Sequence, residues 1–169
     1  MSFLLDTNVV SEIRRGRDEN VAVWTSQVAD AELHLSVLTL GEIRKGIERL
    51  RRRDPNQADV FAVWLEQLGH HFSERILSID GKVAEEWGRL NAPAERKTVD
   101  SLIAATARVH GLTVVTRNTA DFDGCEVLLL NPFRGRSFDR PPRRRRSADG
   151  PRSSLPASQS SGPRTSEAL

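Results

Sequence analysis

Four acidic residues stand where chemistry could use them. Asp6 follows the apolar run Phe3-Leu4-Leu5, Glu42 lies in Leu40-Gly41-Glu42-Ile43, Asp100 follows Val99, and Asp121 precedes Phe122. Carboxylates gathered in one place repel, by roughly 4 kcal/mol for two unit charges about 4 Å apart at an effective dielectric of 20. A cluster of four therefore calls for protons or cations. Hard oxygen ligands without His or Cys select Mg²⁺, with Mn²⁺ as the other candidate. Such an ion bridges a phosphate, activates a water and stabilises the leaving oxygen, which is the chemistry of phosphodiester hydrolysis. Nucleotide and hydrolase fingerprints of the G-x-G-x-x-G, Walker, G-x-S-x-G and H-E-x-x-H types are missing. His34, His70, His71 and His110 show no ligand spacing and read as surface or packing residues.

The acids need elements that bring them together. Ser2–Leu5 reads as a strand broken by Asp6-Thr7-Asn8, with Thr7 or Asn8 capping a helix to about Arg15. Apolar spacing predicts a second helix over Val21–Val28, a strand over Glu32–Leu38 and a helix over Thr39–Arg53. A helix opened by Pro55 runs to Leu68, followed by a strand over Arg75–Ile79 and a helix over Asp80–Leu90. Val99–His110 is helical up to Gly111, and strands follow at Thr113–Thr116 and Glu126–Leu130. Strands alternating with helices imply a three-layer α/β/α domain around a mostly parallel sheet. Strand carboxyl ends and helix amino ends share one edge of such a sheet, and ligands bind there. Each acid also has a purely structural explanation. Thr39–Glu42 is a capping box, Asp100 suits its helix dipole, Asp6 could cap a helix, and Asp121 could belong to a turn.

The composition of the 169-residue chain changes after Phe133. Residues 1–133 carry 16 basic and 20 acidic side chains, whereas 134–169 carry nine arginines and three acids. The first part is expected to fold as one domain over 1–133. The Arg/Pro/Ser-rich remainder buries too little apolar surface to fold and is expected to be disordered. A lone Cys125 excludes a disulfide framework, no apolar run is long enough for a membrane span, and the start lacks a signal peptide. The expected location is the cytoplasm, with no membrane partner.

The motifs in order resemble those of PIN-domain proteins, specifically VapC-type toxins of type II toxin–antitoxin systems. They are Leu5-Asp6-Thr7-Asn8 with Ser11-Glu12, Leu40-Gly41-Glu42-Ile43 with Lys45-Gly46, Val99-Asp100 through Thr106, Thr116-Arg117-Asn118 with Asp121-Phe122, and Asn131-Pro132-Phe133. The resemblance covers the whole of the part expected to fold. It implies a Mg²⁺-dependent endoribonuclease acting as the toxin of a toxin–antitoxin pair. Asp6, Asp100 and Asp121 would bind metal, and Glu42 would complete the acidic cluster and orient the attacking water. Thr7, Asn8, Thr116 and Asn118 would support those ligands or position substrate. It also implies a homodimer and a cognate antitoxin that lays a segment into a groove near the site. DNA would be reached only through that antitoxin.

Basic candidates for the RNA are Arg14, Arg15, Arg17, Arg44, Lys45, Arg49, Arg51–Arg53 and Arg117. Arg117 directly follows an active-edge strand and is the first choice for a phosphate contact. Trp24, Trp64 and Trp87 lie on amphipathic stripes and read as core, with Trp24 and Val21 also candidates for a partner groove. The chief rival is a nuclease-inactive module of the same fold that binds RNA or a partner protein. A phosphohydrolase of the haloacid dehalogenase type would need a second acid two residues after Asp6, where the chain has Asn8.

Overall fold

The computed structural model describes residues 1–94, 96–134 and 138–139. The chain runs β1 (Phe3–Leu5), α1 (Thr7–Arg15), α2 (Glu19–Ser26), β2 (Leu33–Ser36), α3 (Val37–Arg51) and α4 (Pro55–His71). It continues through β3 (Ile76–Leu77), α5 (Gly81–Asn91), α6 (Thr98–His110), β4 (Thr113–Val115), β5 (Leu129–Leu130) and β6 (Phe138–Asp139). The sheet order is β3-β2-β1-β4-β5-β6, parallel except for β6.

Alternation along the central strands builds two cores. Phe3 and Leu5 join Leu35 and Val115 on one face, under α1, α3 and α4. Leu4 and Val114 point the other way, against α5 and α6. The expected three-layer arrangement is therefore present. Register does the positioning: Leu5 pairs with Leu35 on one side and Val115 on the other. The residues that follow, Asp6, Ser36 and Thr116, consequently leave the sheet side by side. No helix among the described residues is long and apolar enough to cross a membrane.

Several local expectations change. Asp6 itself caps α1, accepting the Thr7 N–H, so neither Thr7 nor Asn8 is the cap. Helix α3 starts earlier than expected because Ser36 caps it, its hydroxyl accepting the Leu38 N–H. The Thr39–Glu42 capping box is thus not formed. Thr39 is buried inside the helix and donates its hydroxyl to the Leu5 carbonyl at 3.2 Å, while Glu42 lies in the second turn. Strand β3 starts one residue later than expected because Ser73–Arg75 forms a 3₁₀ turn, and it ends at Leu77. The Arg75 guanidinium there binds the carbonyls of Asp30, Leu33 and His71. Strand β5 begins only at Leu129, since Gly124 (φ 72°) and Glu126 (φ 50°) are left-handed and cannot extend. Strand β6 pairs antiparallel with β5 and lies beyond the boundary expected at residue 133. Residues 140–169, most of the tail expected to be disordered, lie outside the described residues.

Candidate active site

Asp6 is 7% exposed and every contact of its carboxylate is specified. Oδ1 accepts the Thr7 N–H at 2.7 Å. Oδ2 accepts the Thr116 hydroxyl at 2.6 Å and the Asn8 amide at 2.5 Å. Burial pushes the Asp6 carboxyl above the ordinary carboxylate range, and these three bonds pull it partway back while Glu42 pushes it further up. Glu42 is oriented from β1's side of the edge: its Oε2 accepts the Thr7 hydroxyl at 2.6 Å. The Thr116 hydroxyl also accepts from Asn8 Nδ2 at 3.1 Å and from the Asn118 N–H at 3.0 Å. Thr7, Asn8 and Thr116 therefore bind the acids directly, and Asn118 contributes its main chain.

Asp100 sits in the first turn of α6 and Asp121 in the 3₁₀ turn Thr119–Phe122 that leaves β4. The Asp100 carboxyl is also raised, first by burial, then by Asp121 and Asp6, with Glu42 adding to the push and Lys97 opposing it. All four acids thus share one electrostatic neighbourhood. Lys97 is the cation already there, its Nζ 2.6 Å from Asp121 Oδ1. Lys97 is not among the residues that the sequence pattern singles out; its one signal is its place three residues ahead of Asp100.

Among the described residues, no three His, Cys, Asp or Glu side chains are already arranged to hold a metal ion. The donor set still fits a hard divalent cation. Two of its carboxyls are held above their ordinary range by burial and by one another, so a cation would relieve both. Mg²⁺ keeps several waters and needs only one or two carboxylates.

Arg117 reaches the edge differently from expectation. Its N–H donates to Asn8 Oδ1 at 3.0 Å, while its guanidinium lies 3.9 Å above the Phe133 ring and 3.7 Å from Glu12. Glu12 is buried and accepts the N–H groups of Arg17 and Asp18, each at 3.0 Å. Of the other basic candidates, Arg44 and Arg51 pair with Glu48, and Arg51 also with Asp59. Arg14 stacks on Phe61 and Trp64. Trp24 packs edge-on against Phe3 and Trp87 donates to Ser101, as expected of core residues. Beside Glu42 a cavity of about 210 Å³ opens between α1, α3 and α4, lined by Ile43, Ile47, Leu50, Phe61 and Trp64.

Residues 3–124 match the family model of the PIN domain. The toxin FitB of Neisseria gonorrhoeae is 36% identical over 138 residues, spanning 78% of this chain and 98% of that protein. A VapC ribonuclease of Sinorhizobium fredii is 31% identical over 140 residues, spanning 78% of this chain and 97% of its own length. The solved structure of FitAB bound to a DNA fragment aligns with a TM-score of 0.70 at 33% identity, covering 78% of this chain and 95% of that one.

Proposed function

Because the chain belongs to the PIN-domain family, we propose that it is a divalent-metal-dependent endoribonuclease and the toxin of a toxin–antitoxin pair. The observation that carries this is the placement of Asp6, Glu42, Asp100 and Asp121 along the carboxyl edge of the sheet, with two carboxyls held above their ordinary range partly by the others. Asp6 and Asp100, with Asp121 and Glu42, are the residues that would hold the ion. Mg²⁺, or Mn²⁺ in its place, would polarise the phosphate, activate water and stabilise the leaving oxygen.

The chain's own contribution is orientation. Thr116, Asn8 and the Thr7 N–H fix the Asp6 carboxylate and oppose the upward push of its burial. The Thr7 hydroxyl fixes the Glu42 carboxylate, which would accept a hydrogen bond from the attacking water. Arg117 remains the candidate for the RNA phosphate, its guanidinium half-exposed and braced on Phe133. The apolar cavity beside Glu42 suits a segment of an antitoxin laid across the mouth of the site. We place the protein in the cytoplasm as a homodimer, touching DNA only through that antitoxin.

The test is RNA cleavage by purified, antitoxin-free protein in Mg²⁺, Mn²⁺ or EDTA, with Asp6→Asn and Asp100→Asn alongside. Metal-dependent cutting by the wild type, lost in both variants, is the expected result. Folded wild-type protein that cuts no RNA under any metal would instead identify the fold as a binding module.

A further inference from the structure

Asn131 is a buried amide that the proposed reaction leaves unused. It is 2% exposed and follows β5, on the same edge as Asp6 and Thr116. Its Oδ1 accepts the Phe133 N–H at 3.0 Å, a local turn contact that many Asn residues make. That contact does not explain the other end of the amide, which donates from Nδ2 to the Arg117 carbonyl at 3.1 Å, across 14 residues of chain. Arg117 is where this line meets the site. Its N–H holds Asn8 Oδ1 at 3.0 Å, and the far end of the same planar amide donates to Asp6 Oδ2 at 2.5 Å. A rigid amide cannot aim its two ends independently, so whatever fixes the Arg117 backbone also fixes the donor on Asp6.

The segment after β5 grips Arg117 by its side chain as well. The guanidinium stacks on Phe133, whose carbonyl in turn accepts from Asn20 on α2 at 3.3 Å. Thr116 is still tied to β5, its N–H donating to the Leu130 carbonyl at 3.0 Å, whereas Arg117 and Asn118 lie between β4 and a 3₁₀ turn, where the Asn131 and Phe133 contacts add to that hold.

We propose that Asn131 is a positioning residue for Asp6, acting through the Arg117 backbone and the Asn8 amide. The inference rests on the assignment of Asp6 to the reacting site and adds a residue from the far end of the fold to it. It is tested with a cycle of wild type, Asn8→Ala, Asn131→Ala and the double variant, each corrected for folded fraction by circular dichroism. Asn131→Ala is expected to lower kcat for RNA about tenfold with KM changed by less than about twofold. In the Asn8→Ala background the same change should lower kcat by no more than about twofold, because the relay is already cut. A loss of equal size in both backgrounds overturns the proposal, since a merely structural Asn131 would act regardless of Asn8. If Asn131→Ala does not fold, Asn131→Ser takes its place under the same criteria. The Asn8 side-chain amide signals in ¹⁵N NMR give a readout independent of cleavage. They should move in the Asn131 variant, and signals that stay put overturn the relay whether or not the wild type cuts RNA.

Discussion

Replacing Thr116 by Val isolates the hydrogen bonding that opposes the upward push of burial on Asp6. The site is fully buried and valine reproduces the shape of threonine, so packing changes little. Two losses remain. The bond to the Asp6 carboxylate at 2.6 Å is charge-assisted and contributes about 1.5–3 kcal/mol. The Asn118 N–H loses its acceptor, which adds about 1 kcal/mol. Together these predict a destabilisation of about 3 kcal/mol at neutral pH and a fall in Tm of about 9 °C. The pH dependence carries the sharper expectation. Asp6 is raised by burial, and Thr116 is the largest of the influences holding it down, so in the variant it rises further. An acid raised in the folded state contributes stability that is complete below its unfolded pKa and is lost as pH rises through its folded pKa. The variant loses more over that window than the wild type does. The gap between the two proteins should therefore be smallest in acid and widen through the Asp6 titration. Urea unfolding in EDTA, from about pH 4 to pH 8, measures it. A gap that stays flat with pH, or that is below about 1 kcal/mol at pH 7, would refute the assignment of Thr116 to Asp6's charge.

Three further outcomes are expected. Mg²⁺ should stabilise the wild type by about 2.7 kcal/mol at a hundredfold excess over its Kd, and Asp100→Asn should shrink that gain in thermal melts run with Mg²⁺ and with EDTA. Gly124→Ala should cost about 1 kcal/mol in chemical denaturation with cleavage unchanged, because φ is +72° and the added Cβ would sit 2.9 Å from the movable Arg96 Nη2. A chain ending after residue 139 keeps β6 but loses seven arginines. It should keep its kcat on a short RNA, while the slope of log Kd against log salt flattens by about 0.7 for every RNA phosphate that the missing arginines had neutralised.

What the sequence revealed and what it hid follow from range. The positions of Asp6, Glu42 and Asp100 were legible because each sits beside a local signal: an apolar run before Asp6, a helical stripe around Glu42, the start of a long helix at Asp100. Parallel topology then placed them on one edge. The capping of α3 was misjudged because Thr39 and Glu42 have the right spacing for a box, whereas Ser36 and the long-range bond from Thr39 to Leu5 decide the outcome. The braces were invisible for the same reason. Glu12, Arg117, Phe133 and Asn131 make contacts spanning 14 to more than 100 residues, and no local pattern encodes them. Strand β6 was hidden by composition, since the change after Phe133 put the boundary short of the two residues that pair with β5.

The acidic cluster is built in two unequal halves, and the difference explains why no three of the acids stand ready as ligands. Asp6 and Glu42 are pinned by neutral donors from Thr7, Asn8 and Thr116, which orient a carboxylate without cancelling its charge. Around Asp100 and Asp121, the opposite charge among the described residues comes from Lys97, through an exposed contact with Asp121. Bonds of the first kind are geometric and survive changes in salt. An exposed ion pair is weak and screened, so it yields to a stronger cation. In the proposed reading the fixed half gives the site its geometry, and the half paired with Lys97 would receive an ion whose preferred shell keeps several waters. Repulsion among four carboxylates would drive a fully converged cluster apart in the absence of that ion. Spreading the acids while locking two of them lets the fold tolerate the charge and keep the site competent.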